Sequence, residues 1–318
     1  MRLSKRFSLM AAAAAIVTAS TAAVAAPTFI NVLTGGTSGV YYPIGVALSQ
    51  LYGSNIQDAK TSVQATKASV ENLNLLAAGR GELAFALGDS VADAWEGVAD
   101  AGFQKPLKSI RAIAGIYPNY IQIVANAESG IKTLEDLKGK RISVGAPKSG
   151  TELNARAIFK AAGMSYKDMG SVEYMPFAES VELIKNRQLD ATLQSSGLGQ
   201  AAIRDLASTM KLNFVSVPAD VVTKIGNPVY QAMNIPKETY DGQTEDVPTV
   251  AIMNILVTSE KVDDETAYQM TKLMFENLPR LANSHSAAKD IKLEHATQNL
   301  PIPLHPGAER YYKEKGAL

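Results

Sequence analysis

The chain has 318 residues, with 31 Lys and Arg balanced against 31 Asp and Glu, and no cysteine. Even charge without basic clusters argues against nucleic acid as a partner, and the lack of cysteine excludes disulfides, thiolate nucleophiles and Cys-based zinc sites. A chain this long can bury a large core, and this size usually divides into two domains.

The first segment reads as a secretory signal rather than as structure. Arg2, Lys5 and Arg6 form a basic start, an Ala-rich apolar run covers Leu9–Val17, and Ala23-Val24-Ala25 supplies the small residues of a cleavage site. The apolar run is too short to span a bilayer. Cleavage near Ala25 is expected to leave a mature periplasmic protein with 28 basic against 31 acidic residues.

After the signal, short apolar runs alternate with amphipathic ones. Thr28–Thr34 reads as a strand. Pro43–Tyr52 reads as a helix, because Ile44, Ala47, Leu48, Leu51 and Tyr52 recur at helical spacing. Strands are expected at Thr61–Ala65 and Glu82–Leu87, flanking a helix from Ser69 to Ala78 that Gly79 and Gly81 end. Ile110–Ile116, Ile121–Ala125 and Arg141–Gly145 read as further strands, with a short helix at Thr133–Leu137. Ser149-Gly150-Thr151-Glu152 has the form of a capping box and opens a helix to about Ala162. Strand Val172–Tyr174, helix Glu179–Asn186, strand Ala191–Gln194, helix Leu198–Ser208 and strand Asn213–Val217 follow. Prolines and a polar stretch interrupt Asn227–Pro248. Thr249–Thr258 reads as a long strand, Asp263–Leu281 as a helix, and Leu300–Leu318 as a proline-led segment ending in a helix. The alternation predicts α/β layers with mostly parallel strands.

Catalytic templates find little purchase. His285, His295 and His305 lack H-E-x-x-H or close pairing, and no G-x-S-x-G elbow or P-loop is present. Ser286-Ala287-Ala288-Lys289 matches S-x-x-K but has neither companion motif, and reads as a solvated helix end. No cofactor and no metal are expected, and the chain reads as a non-enzyme. What remains is a set of strand-to-helix junctions rich in Gly, Ser and Thr: Thr34–Gly39, Thr66–Ser69, Asp89-Ser90, Ser149–Thr151 and Gln194–Gly197. In parallel α/β sheets such junctions lie where ligands bind, and unpaired N–H groups at helix starts favour anions. One such junction alone is an ordinary capping loop; five together point to ligand capture.

Ile30–Gly45 (INVLTGGTSGVYYPIG) resembles the N-terminal signature of the TAXI proteins, solute receptors of TRAP transporters. Ile131–Gly145, Ser149–Arg156 and Leu300–Lys313 resemble the same family in the same order. The resemblance implies a type II periplasmic-binding-protein fold, two α/β lobes joined by two crossing strands with a ligand cleft between. Residues 26–116 with 258–318 would form lobe one and 117–257 lobe two, with crossings near Tyr117–Ala125 and Thr249–Val257. It implies a monomeric receptor for a small organic anion, glutamate-like or a dicarboxylate, handed to a sodium-driven TRAP permease with fused small and large subunits. A periplasmic hydrolase and a surface antigen without a transport role are the alternatives.

Carried across residue by residue, the resemblance puts Thr37, Ser38, Gly39 and Tyr41 in a first ligand loop and Thr66 and Ser69 in a second. It puts Asp89 at an acidic position and Ser149, Gly150, Thr151 and Asn154 in the closing loop. Lys67-Ala68 replaces a usual Gly-Gly, Gly88 a usual Ser or Asn, and Gln194 a frequent aromatic. Lys67 would meet a second carboxylate or sit solvated outside. Asp89 would cap its helix or bind a ligand ammonium. One of Tyr41 and Tyr42 should face the cleft, Trp95 should pack beneath the cleft helix, and His305 should cap the last helix.

Overall fold

The computed structural model describes Pro27–Leu318, so the signal segment expected at residues 1–25 lies outside the described residues. The chain alternates as the apolar runs predict. β1 (Phe29–Leu33), α1 (Tyr41–Asn55), β2 (Lys60–Gln64), α2 (Ser69–Ala77), β3 (Leu83–Leu87) and α3 (Gly88–Glu96) come first, then the long strand β4 (Ile110–Asn126). β5 (Arg141–Ser143), α4 (Gly150–Ala161), β6 (Ser171–Glu173), α5 (Phe177–Lys185), β7 (Ala191–Ser196), α6 (Ala201–Thr209) and β8 (Leu212–Val215) follow. The chain ends with α7 (Ala219–Ile225), β9 (Tyr230–Ile235), β10 (Val247–Ser259), α8 (Asp264–Glu276), α9 (Leu278–Ser284) and α10 (Pro306–Glu314).

The strands join in the order β2-β1-β3-β10-β4-β7-β5-β6, with β8 beside β4 and β9 beside β10. The outer groups are parallel, β2-β1-β3 at one end and β7-β5-β6 at the other. Between them β4 and β10 run antiparallel to each other and to their neighbours. β10 pairs with β3 through Asn254–Thr258 and with β9 through Val247–Ile252, so its two ends serve different sides of the sheet. β4 likewise pairs with β10 along its first part and with β7 along Tyr120–Ala125. These two strands are the only covalent crossings between a first side (β1–β3, α1–α3, α8–α10) and a second side (β5–β9, α4–α7) among the described residues.

Each side has its own apolar core. Ile30, Ile44, Leu48, Phe85 and Tyr312 are fully buried on the first, and Ile142, Ile158, Leu193 and Phe159 on the second. β3 reads Leu-Ala-Phe-Ala-Leu because it is covered on both faces, which removes the alternation expected of a half-exposed strand. The C-terminal segment returns to the first side. The Tyr312 hydroxyl donates to the Ile113 carbonyl at 2.8 Å. His305 caps α10 as the sequence suggests, its ring accepting from the Gly307 N–H at 3.1 Å.

Several elements depart from the sequence reading. The strands expected at Ile110–Ile116 and Ile121–Ala125 are one, because Pro118 sits opposite Met253 beside a register shift, where a strand tolerates a missing N–H. The helix expected over Asp263–Leu281 breaks before Pro279, which lies in the first turn of α9, where its missing donor costs nothing. α7 and β9 occupy part of the stretch that prolines had marked as irregular. Pro228 and Pro236 flank β9 rather than interrupt it, and β9 lies at a sheet edge. The capping box at Ser149 is half formed. Ser149 Oγ accepts from the Glu152 N–H at 3.2 Å, but the Glu152 carboxylate turns to Arg156, with two contacts of 2.6 Å. Trp95 lies half-buried on α3 with the Lys108 ammonium 4.5 Å from its ring, rather than beneath the cleft.

Candidate functional site

The junctions that end β1, β2, β5 and β7 converge on one cleft between the two sides, with roughly 680 Å³ of free space including its open mouth. Its first wall is built where β1 and β2 stop. Thr34 bonds the Gln64 carbonyl at 2.9 Å, and the buried Asn72 side chain reaches the carbonyls of Thr34 (2.6 Å) and Phe85 (2.8 Å). Asn72 thus binds the ends of β1 and β3 to the start of α2, and Thr66 joins it through Asn72 Oδ1 at 2.6 Å. Ser38, Gly39, Tyr41, Thr66, Lys67 and Ser69 face the cleft from this wall. Ser149, Gly150 and Thr151 at the start of α4 close it from the second side, together with Pro176 and Phe177 at the start of α5.

Four helix N-termini, those of α1, α2, α4 and α5, therefore open toward one space. α1, α2 and α5 carry no side-chain cap, which leaves backbone N–H groups of their first turns free to serve a ligand. Among the described residues no carboxylate lines the cleft, and Lys67, the one lining cation among them, is exposed at the rim. Partial positive charge from dipoles thus dominates the interior.

The floor comes from the crossing strands. Tyr41 donates its hydroxyl to Asn254 Oδ1 at 2.5 Å, Asn254 donates to Asn119 Oδ1 at 2.7 Å, and Asn119 donates to the Ser195 carbonyl at 3.2 Å. Burial holds the Tyr41 phenol far above its usual range, so it stays a neutral donor. Ser195 lines the cleft, and its buried Oγ has no hydrogen-bond partner among the described residues. An unpaired hydroxyl in such a place is a donor awaiting an acceptor.

Ala68, between Lys67 and α2, has φ 66° and ψ −151°, a region that belongs almost entirely to glycine. This loop keeps a glycine conformation without a glycine. The Ala68 N–H is held by Thr66 Oγ1 at 2.9 Å.

Gly150 meets the first side most closely. A methyl group there would lie 2.6 Å from both Ser69 Oγ and Leu87 Cδ1. The start of α4 thus rests directly on the start of α2, and the two sides are closed on one another.

Nine of the thirteen residues singled out from sequence line this cleft: Ser38, Gly39, Tyr41, Thr66, Lys67, Ser69, Ser149, Gly150 and Thr151. The other four do not. Thr37 is exposed beside it. Gln194 is buried in the second side, where its Oε1 accepts from Gln200 at 2.5 Å. Asp89 and Asn154 are spent on one another behind the cleft wall. Asn154 Nδ2 donates to Asp89 Oδ2 at 2.6 Å, and Tyr230 donates to the same oxygen at 2.6 Å. Burial raises the Asp89 carboxyl above its usual range, opposed by donors from Tyr230, the Ser90 N–H and Asn154. Of the tyrosine pair, Tyr41 faces the cleft and Tyr42 does not line it. Asn119, Ser195, Ser196 and Phe177 were missed. At the Gln194–Gly197 junction it is Ser195 and Ser196, at the end of β7, that line the cleft, while Gln194 lies one step back along the strand and bonds Gln200.

The chain belongs to the NMT1-like family, whose model matches residues 32–316. Its fold is shared with solved binding proteins at low sequence identity. PhnD1 of Prochlorococcus marinus in complex with methylphosphonate aligns with TM-score 0.57 at 12% identity, covering 92% of this chain and all of that one. The binding-protein component of an ABC phosphonate transporter from Pseudomonas aeruginosa gives 0.54 at 13%, covering 84% and 81%. The alkanesulfonate-binding protein SsuA from Xanthomonas axonopodis pv. citri, bound to MOPS, gives 0.50 at 15%, covering 90% and 84%. The type II periplasmic-binding-protein fold is therefore observed. The TAXI assignment is not, because the family match and these neighbours lie elsewhere, and the TRAP permease with fused subunits falls with it.

Proposed function

We propose that this protein is an exported solute-binding receptor, not an enzyme, that captures a small organic oxyanion in the periplasm and presents it to a membrane permease of the ABC kind. The observation that carries the reading is the cleft itself, where four helix N-termini and Ser195, with its buried, unpaired hydroxyl, border a space that no carboxylate among the described residues lines. Its hydroxyls and N–H groups suit the oxygens of a sulfonate or phosphonate head, as in the ligands named for the structural neighbours. Leu87, Pro176 and Phe177 offer an apolar wall for the rest of the molecule. A glutamate-like ligand is disfavoured, since its ammonium would find no counter-charge there. We assign residues 26–116 with 258–318 to one lobe and 117–257 to the other, hinged on β4 and β10. The signal at residues 1–25 would be removed on export.

Thermal unfolding with butanesulfonate, methylphosphonate, butyrate and glutamate tests the reading. An anion present at about 100 times its Kd stabilises the folded state by about 2.7 kcal/mol, a rise in Tm of roughly 5 °C or more. The sulfonate or phosphonate should give the larger shift and glutamate none. Ser195→Ala should reduce the shift while leaving the ligand-free Tm unchanged, because the lost hydroxyl had no partner. No shift with any anion, or a shift with glutamate alone, would overturn the reading.

A further inference from the structure

Asp89 is a buried carboxylate where the two sides meet behind the ligand cleft, and it does not line the ligand space. It stands in the first turn of α3, on the first side, with 5% of its surface exposed. Both side chains that hold it come from the second side. Asn154 is on α4, and Tyr230 begins β9 within the second side's apolar core. Tyr230 also accepts from Asn154 at 2.9 Å, which closes a three-membered ring of hydrogen bonds. The backbone N–H of Ser90 takes the other carboxyl oxygen at 2.7 Å. One further contact crosses nearby, from Arg156 Nη1 to the Asp100 carbonyl at 3.2 Å.

We propose that Asp89, Asn154 and Tyr230 form a clasp that holds the receptor closed and so sets ligand affinity without touching ligand. The proposal rests on the binding-receptor reading for its purpose, but the clasp itself is defined without a ligand. Two features make it act on the cleft. Asn154 lies one helical turn after Thr151, so fixing it fixes the α4 start that closes over the pocket. Asp89 follows Leu87 and Gly88 directly, so its helix is anchored to a strand end that lines the same pocket. A third feature makes the clasp releasable. Asn154 Oδ1 is buried without a partner, and opening returns it to water, which offsets part of the loss when the ring breaks. A crevice lined by Asp93, Arg156, Lys224 and Tyr230 reaches the clasp from outside and lets water in as it parts.

The chain lacks cysteine, so two introduced cysteines label cleanly. Ser54→Cys on the first side and Gln188→Cys on the second, both exposed, would carry spin labels for a pulsed-dipolar distance measurement without ligand. Asp89→Ala and Tyr230→Phe should each move population from the shorter to the longer distance, with the closed-to-open ratio falling about tenfold, as one lost charge-assisted bond requires. Asp89→Asn keeps an acceptor for both donors and should stay near the parent distribution, an outcome that a loss of packing alone would not give. Circular dichroism melts confirm that each variant is folded at the measuring temperature. A parent-like distribution in Asp89→Ala or in Tyr230→Phe overturns the clasp. If no anion shifts the Tm while these distances still move, the ligand reading fails and the clasp stands.

Discussion

Placing a methyl group on Gly150 separates closure from folding. Gly150 is the first residue of α4, and its backbone conformation suits alanine. Alanine is the better helix former by about 1 kcal/mol, and the ligand-free protein can relieve the new contact by opening, so its melt should change by less than its affinity does. In the closed form the added carbon would lie 2.6 Å from Leu87 Cδ1 and from Ser69 Oγ, and 3.1 Å from Ser69 Cβ. Ordinary carbon contacts need about 3.5 to 4.0 Å, so the two helix starts must part by about 1 Å. Ser69 cannot swing aside freely, because its Oγ accepts from the buried Leu87 N–H at 3.1 Å. Leaving that N–H unpaired costs about 1–3 kcal/mol, and holding the cleft ajar forfeits ligand contacts of the same order. Either way the closed, ligand-bound state weakens by about 1.4–2.8 kcal/mol, a loss of roughly 10- to 100-fold in affinity. Isothermal calorimetry would measure this with whichever panel anion gives the parent its largest thermal shift, alongside a ligand-free melt. Parent affinity in Gly150→Ala would refute the reasoning, and so would lost affinity accompanied by an equal loss of ligand-free stability.

Two further outcomes follow from strain and charge. Ala68→Gly should raise the Tm by roughly 2–4 °C, since relief of a 1–3 kcal/mol backbone strain exceeds the added unfolded-chain entropy of about 0.4–1 kcal/mol; a lower Tm would show that Ala68 is not strained. Burial, with repulsion from Asp89, pushes the Asp93 carboxyl from 3.8 up to about 6. The folded state therefore keeps this proton longer than the unfolded chain does. Its contribution is present below about pH 4 and is lost as pH rises through about 6. Asp93→Asn should remove that fall, so urea titrations between pH 4 and 7 would show variant and parent diverging. The lowered carboxyls of Asp136 and Asp190 work in the opposite sense in both proteins and cancel in the difference. Parallel curves would refute the assignment.

The fold was legible wherever local chemistry decided it. Apolar runs separated by Gly, Ser and Thr gave nearly every element of the two parallel groups, because a buried strand and the capped start of the next helix each leave a local mark. The crossing strands were harder to read. Pro118 looks like an interruption until Met253, more than a hundred residues later, is known to face it across a register shift. β9 was hidden for a similar reason: it pairs only with β10, at an edge, and four of its six residues are exposed. Nothing in six mostly exposed residues between two prolines signals a partner strand. The family resemblance misled because the segments that carried it, Ile30–Gly45, Ile131–Gly145, Ser149–Arg156 and Leu300–Lys313, form strands, helix starts and the last helix of the fold, and folds of this type recur under different family models.

Within the site, the division between legible and illegible residues follows sequence distance. Ser38, Thr66, Ser69 and Ser149 could be named because a hydroxyl between a strand end and a helix start acts within its own loop. Asp89 stands at the same kind of junction and looked equally good, with either a capping or a ligand role. Which side of α3 it faces matters only once α4 and β9 lie against that helix, and Asn154 and Tyr230 are 65 and 141 residues away in sequence. The same holds for the floor. Asn119 and Ser195 meet 76 residues apart because Tyr120 pairs with Ser196, a register that no local pattern encodes. A cleft made by closing two halves of a sheet has walls that each half can declare alone, and most of the residues named from sequence line them. Its floor exists only once β4, β7 and β10 pair, and its fastening only in the closed assembly. Substitutions in the floor and the fastening should therefore be the ones that separate affinity from folding.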